Sequence, residues 1–144
     1  MAYALSGTRR IADGGLSDRK DGYVPMGKIT NTVARKAHIE PGNVVLSRNY
    51  KLHVANRHTK EITAFGFTPE DYVRFIVANF NRIYIGPNNS YLLTVYRQDA
   101  KLSHIAAVSI FYYDKEHVWM VRTAHPRERE KLKAENLIWG KKEG

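Results

Sequence analysis

Arg82-Ile-Tyr-Ile-Gly-Pro-Asn-Asn-Ser-Tyr-Leu-Leu-Thr-Val-Tyr-Arg-Gln98 reads as two extended runs split by a turn. The runs at 82–85 and 91–98 are rich in β-branched and aromatic residues, and Gly86-Pro-Asn-Asn89 supplies the turn chemistry between them. Asp99-Ala-Lys101 turns the chain into a third run, His104–Tyr113, and Asp114-Lys-Glu116 turns that into a fourth, Val118–Ala124. Short loops between four successive strands predict an antiparallel meander.

On the N-terminal side of these strands the period is helical. Val44-Val-Leu46 is a short apolar segment, after which Ser47 can cap a helix over about residues 48–62, with Leu52, Ala55, Thr59 and Ile62 near one face. Thr68-Pro-Glu-Asp71 is a second start signal, a capping residue followed by Pro and two acids, and predicts a helix to about Phe80 that buries Tyr72, Phe75, Ile76 and Phe80. On the C-terminal side, Pro126 opens a charged segment to about Leu137 that reads as a last helix, with Glu128 to Lys131 and Glu130 to Lys133 spaced i,i+3. The expected fold is therefore α+β: N-terminal helices packed on a four-stranded antiparallel meander sheet, with a C-terminal helix. Residues 1–40, sparse in apolar side chains and rich in Gly, Arg, Ser and Asp, read as a basic, flexible leader or linker, and 41–144 as the folded domain.

Composition bounds what the chain can do. Its 144 residues carry 23 Lys and Arg against 14 Asp and Glu, a formal net charge of +9, so a polyanion is the expected partner. Nine Tyr, five Phe and two Trp in a chain that is 43% hydrophobic are enough for a real core. There is no cysteine, which removes disulfides, thiolate metal sites and a Cys nucleophile. No His-Glu-x-x-His, phosphate-binding Gly-rich motif or acidic cluster occurs, so no metal and no cofactor is expected. No run approaches the roughly 18 apolar residues of a membrane span, and no apolar region follows the N-terminal basic residues, so neither a membrane nor a Sec-type signal is expected.

The densest chemistry lies in Arg48-Asn-Tyr-Lys-Leu-His-Val-Ala-Asn-Arg-His58. Imidazoles beside fixed cations are what metal-independent phosphodiester cleavage requires: groups that titrate near neutrality, and permanent charge for the phosphate. On a helix His53 and Arg57 project within about 40° of one another, whereas His58 lies about 140° round from His53. Lys51 adds charge on the same segment. A solvated basic helix with one histidine capping or packing fits these residues as well. A second group closes the fourth strand, where the Thr123 hydroxyl can donate to a phosphate oxygen and Arg122 can neutralise it. Thr is also a plain strand residue. Tyr96 with Arg97, and Tyr113, suit base stacking and backbone tracking, although Tyr is equally a common sheet residue. His38, His104 and His117 read as surface groups.

From about Asn43 to His125 the chain resembles a phage and polymorphic-toxin nuclease family within the barnase–EndoU–colicin–RelE superfamily. Three pieces carry the resemblance: Val44-Val-Leu-Ser47 leading into His53-Val-Ala-Asn-Arg-His58; Phe67-Thr-Pro-Glu-Asp-Tyr-Val-Arg-Phe-Ile76 with Asn81-Arg-Ile-Tyr-Ile-Gly86; and Val121-Arg-Thr-Ala-His125. The resemblance implies two helices followed by a four-stranded sheet, and RNA cleavage without metal. It places the His-x-x-x-Arg-His pattern on His53, Arg57 and His58, and the terminal-strand hydroxyl on Thr123. Where the family carries an aromatic after the Thr-Ala pair, this chain has His125. The implied partners are RNA, tRNA included, and an inhibitor or immunity protein. The implied place of action is the cytoplasm of a target or host cell, reached by phage or a secretion system.

Three function classes follow: a metal-independent endoribonuclease, a non-catalytic nucleic-acid-binding protein, and a phage structural protein on the same fold. The pair His53 and His58 favours the first, because binding alone has no need of groups titrating near pH 6.5.

Overall fold

The computed structural model of the chain describes residues 23–47, 66–97 and 104–140. Its elements run β1 (Val24–Ile29), α1 (Asn31–Ala37), β2 (Gly42–Leu46), α2 (Pro69–Asn79), β3 (Arg82–Ile85), β4 (Ser90–Val95), β5 (His104–Tyr113), β6 (Val118–Ala124), β7 (Arg127–Glu128), two 3-10 turns (Arg129–Lys131 and Ala134–Asn136) and β8 (Leu137–Gly140). The strands form a sheet in the order β1-β2-β6-β5-β4-β3-β8, with β7 against β5. β2 and β6 are parallel, and every other pairing is antiparallel.

This eight-stranded mixed sheet, with two helices among the described residues, overturns the expected four-stranded antiparallel meander between N-terminal helices and a C-terminal one. The strands β3 to β6 are consecutive antiparallel neighbours, but the sheet extends past them on both sides. β2 and β1 join at β6, and β8 joins at β3.

The first correction lies in residues 23–40, which are not a leader. Met26 and Ile29 are 5% and 1% exposed and belong to the main core. A bulge between Pro25 and Gly27, in which Met26 is the extra residue opposite Val45 and Val44, breaks the two-residue alternation that would mark a strand. α1 then starts at Thr30, whose side chain accepts a hydrogen bond from Val33 N at 3.3 Å. It ends on His38 in the left-handed region at φ 61°.

The second correction is the C-terminal segment, which is not an α-helix. The i,i+3 pair between Glu128 and Lys131 exists, at 3.8 Å, but on a 3-10 turn, where residues three apart eclipse. Leu137, Ile138 and Trp139 then extend along β3. The helix expected over 48–62 lies outside the described residues.

α2 begins as its capping signal predicts: Thr68 accepts from Asp71 N at 3.2 Å and Pro69 occupies the first turn. It buries Tyr72, Val73, Ile76 and Val77, while Phe75 stays 37% exposed beside Phe67. Its anchor is polar: the Tyr72 hydroxyl accepts from the buried Ala107 N–H at 3.1 Å. The helix lies over the sheet face formed by Ile83, Leu93, Val108, Ile110, Trp119 and Val121. By alternation Arg82, Tyr84, Thr94, Ser109 and Thr123 point to the other face. None of the helices among the described residues is long and apolar enough to cross a membrane.

Candidate nucleic-acid interface

Register sets the side chains of that second face in rows. Tyr84, Leu92, Ser109 and Thr123 stand opposite one another across β3, β4, β5 and β6, and Arg82, Thr94 and Ala107 form the next row. Arg82, Thr94 and Ser109 are buried polar residues. The Thr94 hydroxyl donates to Arg82 O at 3.3 Å, and Arg82 Nη1 donates to the Tyr84 hydroxyl at 2.8 Å.

The direction of the strands brings several expected site residues to one end. β4 and β6 both run antiparallel to β5, so their C-terminal ends coincide, next to the start of β3. Thr123, Arg122, Tyr96 and Arg97 are therefore gathered at that end. β2 is parallel to β6, so Leu46 and Ser47 also arrive there, Ser47 being the last described residue before the segment that holds Lys51, His53, Arg57 and His58. Those four residues lie outside the described residues.

Thr123 is half-buried, and its Oγ1 accepts from Arg127 Nη2 at 3.3 Å. That bond leaves the hydroxyl proton directed elsewhere, so Thr123 keeps its donor role. Arg122 is the extra residue of a bulge between Ser109 and Ile110, and a bulge re-aims the side chain it carries. The exposed guanidinium stands 5.0 Å from the Phe111 ring centroid. His125, between Thr123 and Arg127, has its Nδ1 3.0 Å from Pro126 O. A carbonyl only accepts, so Nδ1 carries the proton.

Tyr96 is half-buried and Arg97 exposed. The Arg82 guanidinium lies 3.7 Å from the centroid of the Tyr96 ring. Asn81, the residue before β3, grips the backbone of Tyr96, its Oδ1 accepting from Tyr96 N at 2.7 Å and its Nδ2 donating to Tyr96 O at 3.0 Å.

Tyr113 does not join this group. It lies at the opposite end of β5, half-buried against the cluster of Tyr23, Val45 and Val118. The neighbouring Tyr112 hydroxyl is 3.3 Å from His117 Nδ1. Burial raises the Tyr112 pKa above its ordinary 10.0, and the negative charges of Glu40 and Asp114 raise it further.

Arg127, Asn81 and Arg82 escaped the sequence reading. Arg127 sits in a segment whose charge pattern reads as a helix, and the other two act only through cross-strand register. Among the described residues, no three His, Asp or Glu side chains are grouped to hold a metal ion. No family model, curated protein or solved structure matches this chain.

Proposed function

We propose that this protein binds RNA across the arginine-bearing end of its second sheet face and cleaves it without a metal ion. The observation that supports the reading is the convergence of Thr123 with Arg127 and of Tyr96 over Arg82 with Arg97 at the sheet end where β2 finishes, beside the exposed Arg122, whose guanidinium turns toward Phe111 further along the sheet. Exposed arginines attract the phosphodiester backbone, and aromatic rings beside them accept unpaired bases.

In the proposed reaction the ribose 2′-OH attacks the adjacent phosphorus and the P–O5′ bond breaks, leaving a 2′,3′-cyclic phosphate and a 5′-hydroxyl. One of His53 and His58 takes the 2′-OH proton and the other protonates the departing 5′ oxygen. Arg57, the Thr123 hydroxyl and Arg122 stabilise the charge that builds on the phosphorane, with Lys51 and Arg97 holding the flanking backbone. The eight-stranded mixed sheet is not the sheet that the family resemblance implies, so the proposal rests on side-chain chemistry. A phage- or toxin-borne effector acting in a target cell's cytoplasm, held in check by an inhibitor or immunity protein, remains the biological setting that the resemblance suggests.

The test is incubation of end-labelled RNA with the protein in EDTA, followed by analysis of the product ends. Cyclic phosphate and 5′-hydroxyl ends are expected. His53→Ala or His58→Ala should abolish cleavage, and Thr123→Val, nearly isosteric, should lower the rate by about 10²-fold, the order for loss of one transition-state donor. Cleavage that stops in EDTA would overturn the chemistry. The second reading is non-catalytic binding, favoured by the fact that the Arg82–Tyr96 and Arg122–Phe111 stacks are recognition features that need no imidazole. Tight RNA binding with no cleavage of any RNA would select it.

A further inference from the structure

We infer that Tyr96, backed by Arg82 and clamped by Asn81, is a stacking subsite for one unpaired nucleobase lying outside the cleaved dinucleotide. The inference rests on the RNA reading above and adds to it a defined subsite and two positioning residues.

Three observations converge on Tyr96. The first is its backing. Arg82 is only 7% exposed, and its guanidinium covers one face of the ring at 3.7 Å while Nη1 is oriented by the Tyr84 hydroxyl at 2.8 Å. A cation held against one face of an aromatic ring draws π-electron density toward itself. The opposite face then repels the π-cloud of an incoming base less than a bare tyrosine would, which favours parallel stacking.

The second is rigidity. Tyr96 follows the last residue of β4, where a strand end normally frays. Here Asn81 satisfies both its N–H and its C=O, at 2.7 and 3.0 Å, and Asn81 N donates to Thr94 O at 2.9 Å. A half-exposed ring held in place before the ligand arrives loses little freedom on binding, which is what a stacking platform requires.

The third is position. Thr123 stands opposite Ser109, and Val95 opposite Ala106, on strands separated by β5. Strand spacing and rise place Tyr96 on the order of 15 Å from Thr123 along the same face. Arg127, paired with Ile105, stands across β5 at the level of Tyr96 and reaches back to Thr123. If Thr123 meets the scissile phosphate, a dinucleotide is too short to reach Tyr96. A longer single strand passing Arg127 lays a base on it.

The test needs no knowledge of the natural RNA. Hexanucleotides with 2′-O-methyl riboses, which cannot be cleaved, are titrated against the native protein with an abasic residue at each position in turn. One abasic position should weaken binding by about 5- to 100-fold, the range for losing one base–aromatic stack. Tyr96→Ala should weaken the intact hexamer by a similar factor and no longer respond to that abasic position. Tyr96→Phe should behave as wild type. Asn81→Ala, with its thermal midpoint measured alongside, should reduce the abasic penalty, a readout that a purely structural clamp would leave unmoved. If no abasic position matters, or if Tyr96→Ala still responds to one, the platform is refuted while RNA binding stands. If the intact hexamer does not bind at all, both this inference and the RNA reading fall.

Discussion

Tyr112 packs its ring against Trp119 at 5.0 Å between centroids, and its hydroxyl meets His117 Nδ1 at 3.3 Å. Burial is the main reason its pKa lies above 10.0, with Glu40 and Asp114 adding to the effect. The sign follows directly. The unfolded chain gives up this proton near 10 and the folded one only at higher pH, so the folded state binds the proton more tightly. The contribution is fully present below pH 10 and is lost as pH rises through the folded pKa. Stability measured by urea unfolding should therefore fall as pH rises above 10, and Tyr112→Phe should flatten that fall. An unchanged slope in the variant would mean that other groups carry the alkaline sensitivity.

Among the elements, β1 separates two accounts of the N-terminal region. As part of a leader, Ile29 could be replaced with a change within about 0.5 kcal/mol, as for surface positions. As the last residue of β1, 1% exposed and packed in the core, Ile29→Ala should cost roughly 2–5 kcal/mol in urea unfolding. A change below 1 kcal/mol would contradict the packing of β1. The same element shows what can be read from one sequence. α2 is legible because Thr68 and Pro69 are local signals whose effect does not depend on the rest of the fold. The runs that become β3 to β6 are legible because alternation and turn residues are equally local. β1 is hidden because its bulge puts Met26 and Ile29 three apart on the same core. The 126–140 segment misleads because i,i+3 charge pairs suit a 3-10 turn as well as an α-helix.

At the scale of the whole molecule, the feature least legible in the sequence is the parallel pairing of Val44 and Val45 with Trp119 and Met120, which joins segments far apart in the chain without any local mark. That pairing also shapes the candidate site, because it brings Leu46 and Ser47 to the end of the sheet that holds Arg122 and Thr123. The sequence named Thr123, Arg122, Tyr96 and Arg97. It could not name Arg127, Asn81 or Arg82, whose partners are set by register. The net charge of +9 favours any polyanion as partner. Affinity for single-stranded RNA should therefore drop steeply with salt. About four phosphate contacts give a slope of log K on log salt near −3, or a loss of roughly 50-fold between 50 and 200 mM, read by fluorescence anisotropy. Arg97→Ala and Arg122→Ala, both at exposed positions, should each make the slope shallower by about 0.7, one contact's share for a single strand. Tyr96→Ala should lower affinity at every salt concentration without changing the slope, since stacking releases no counterions. Parallel lines for Tyr96→Ala and shallower ones for the two arginines would assign base stacking and backbone attraction to different residues. A slope near zero in the native protein would remove phosphate contact as the basis of binding.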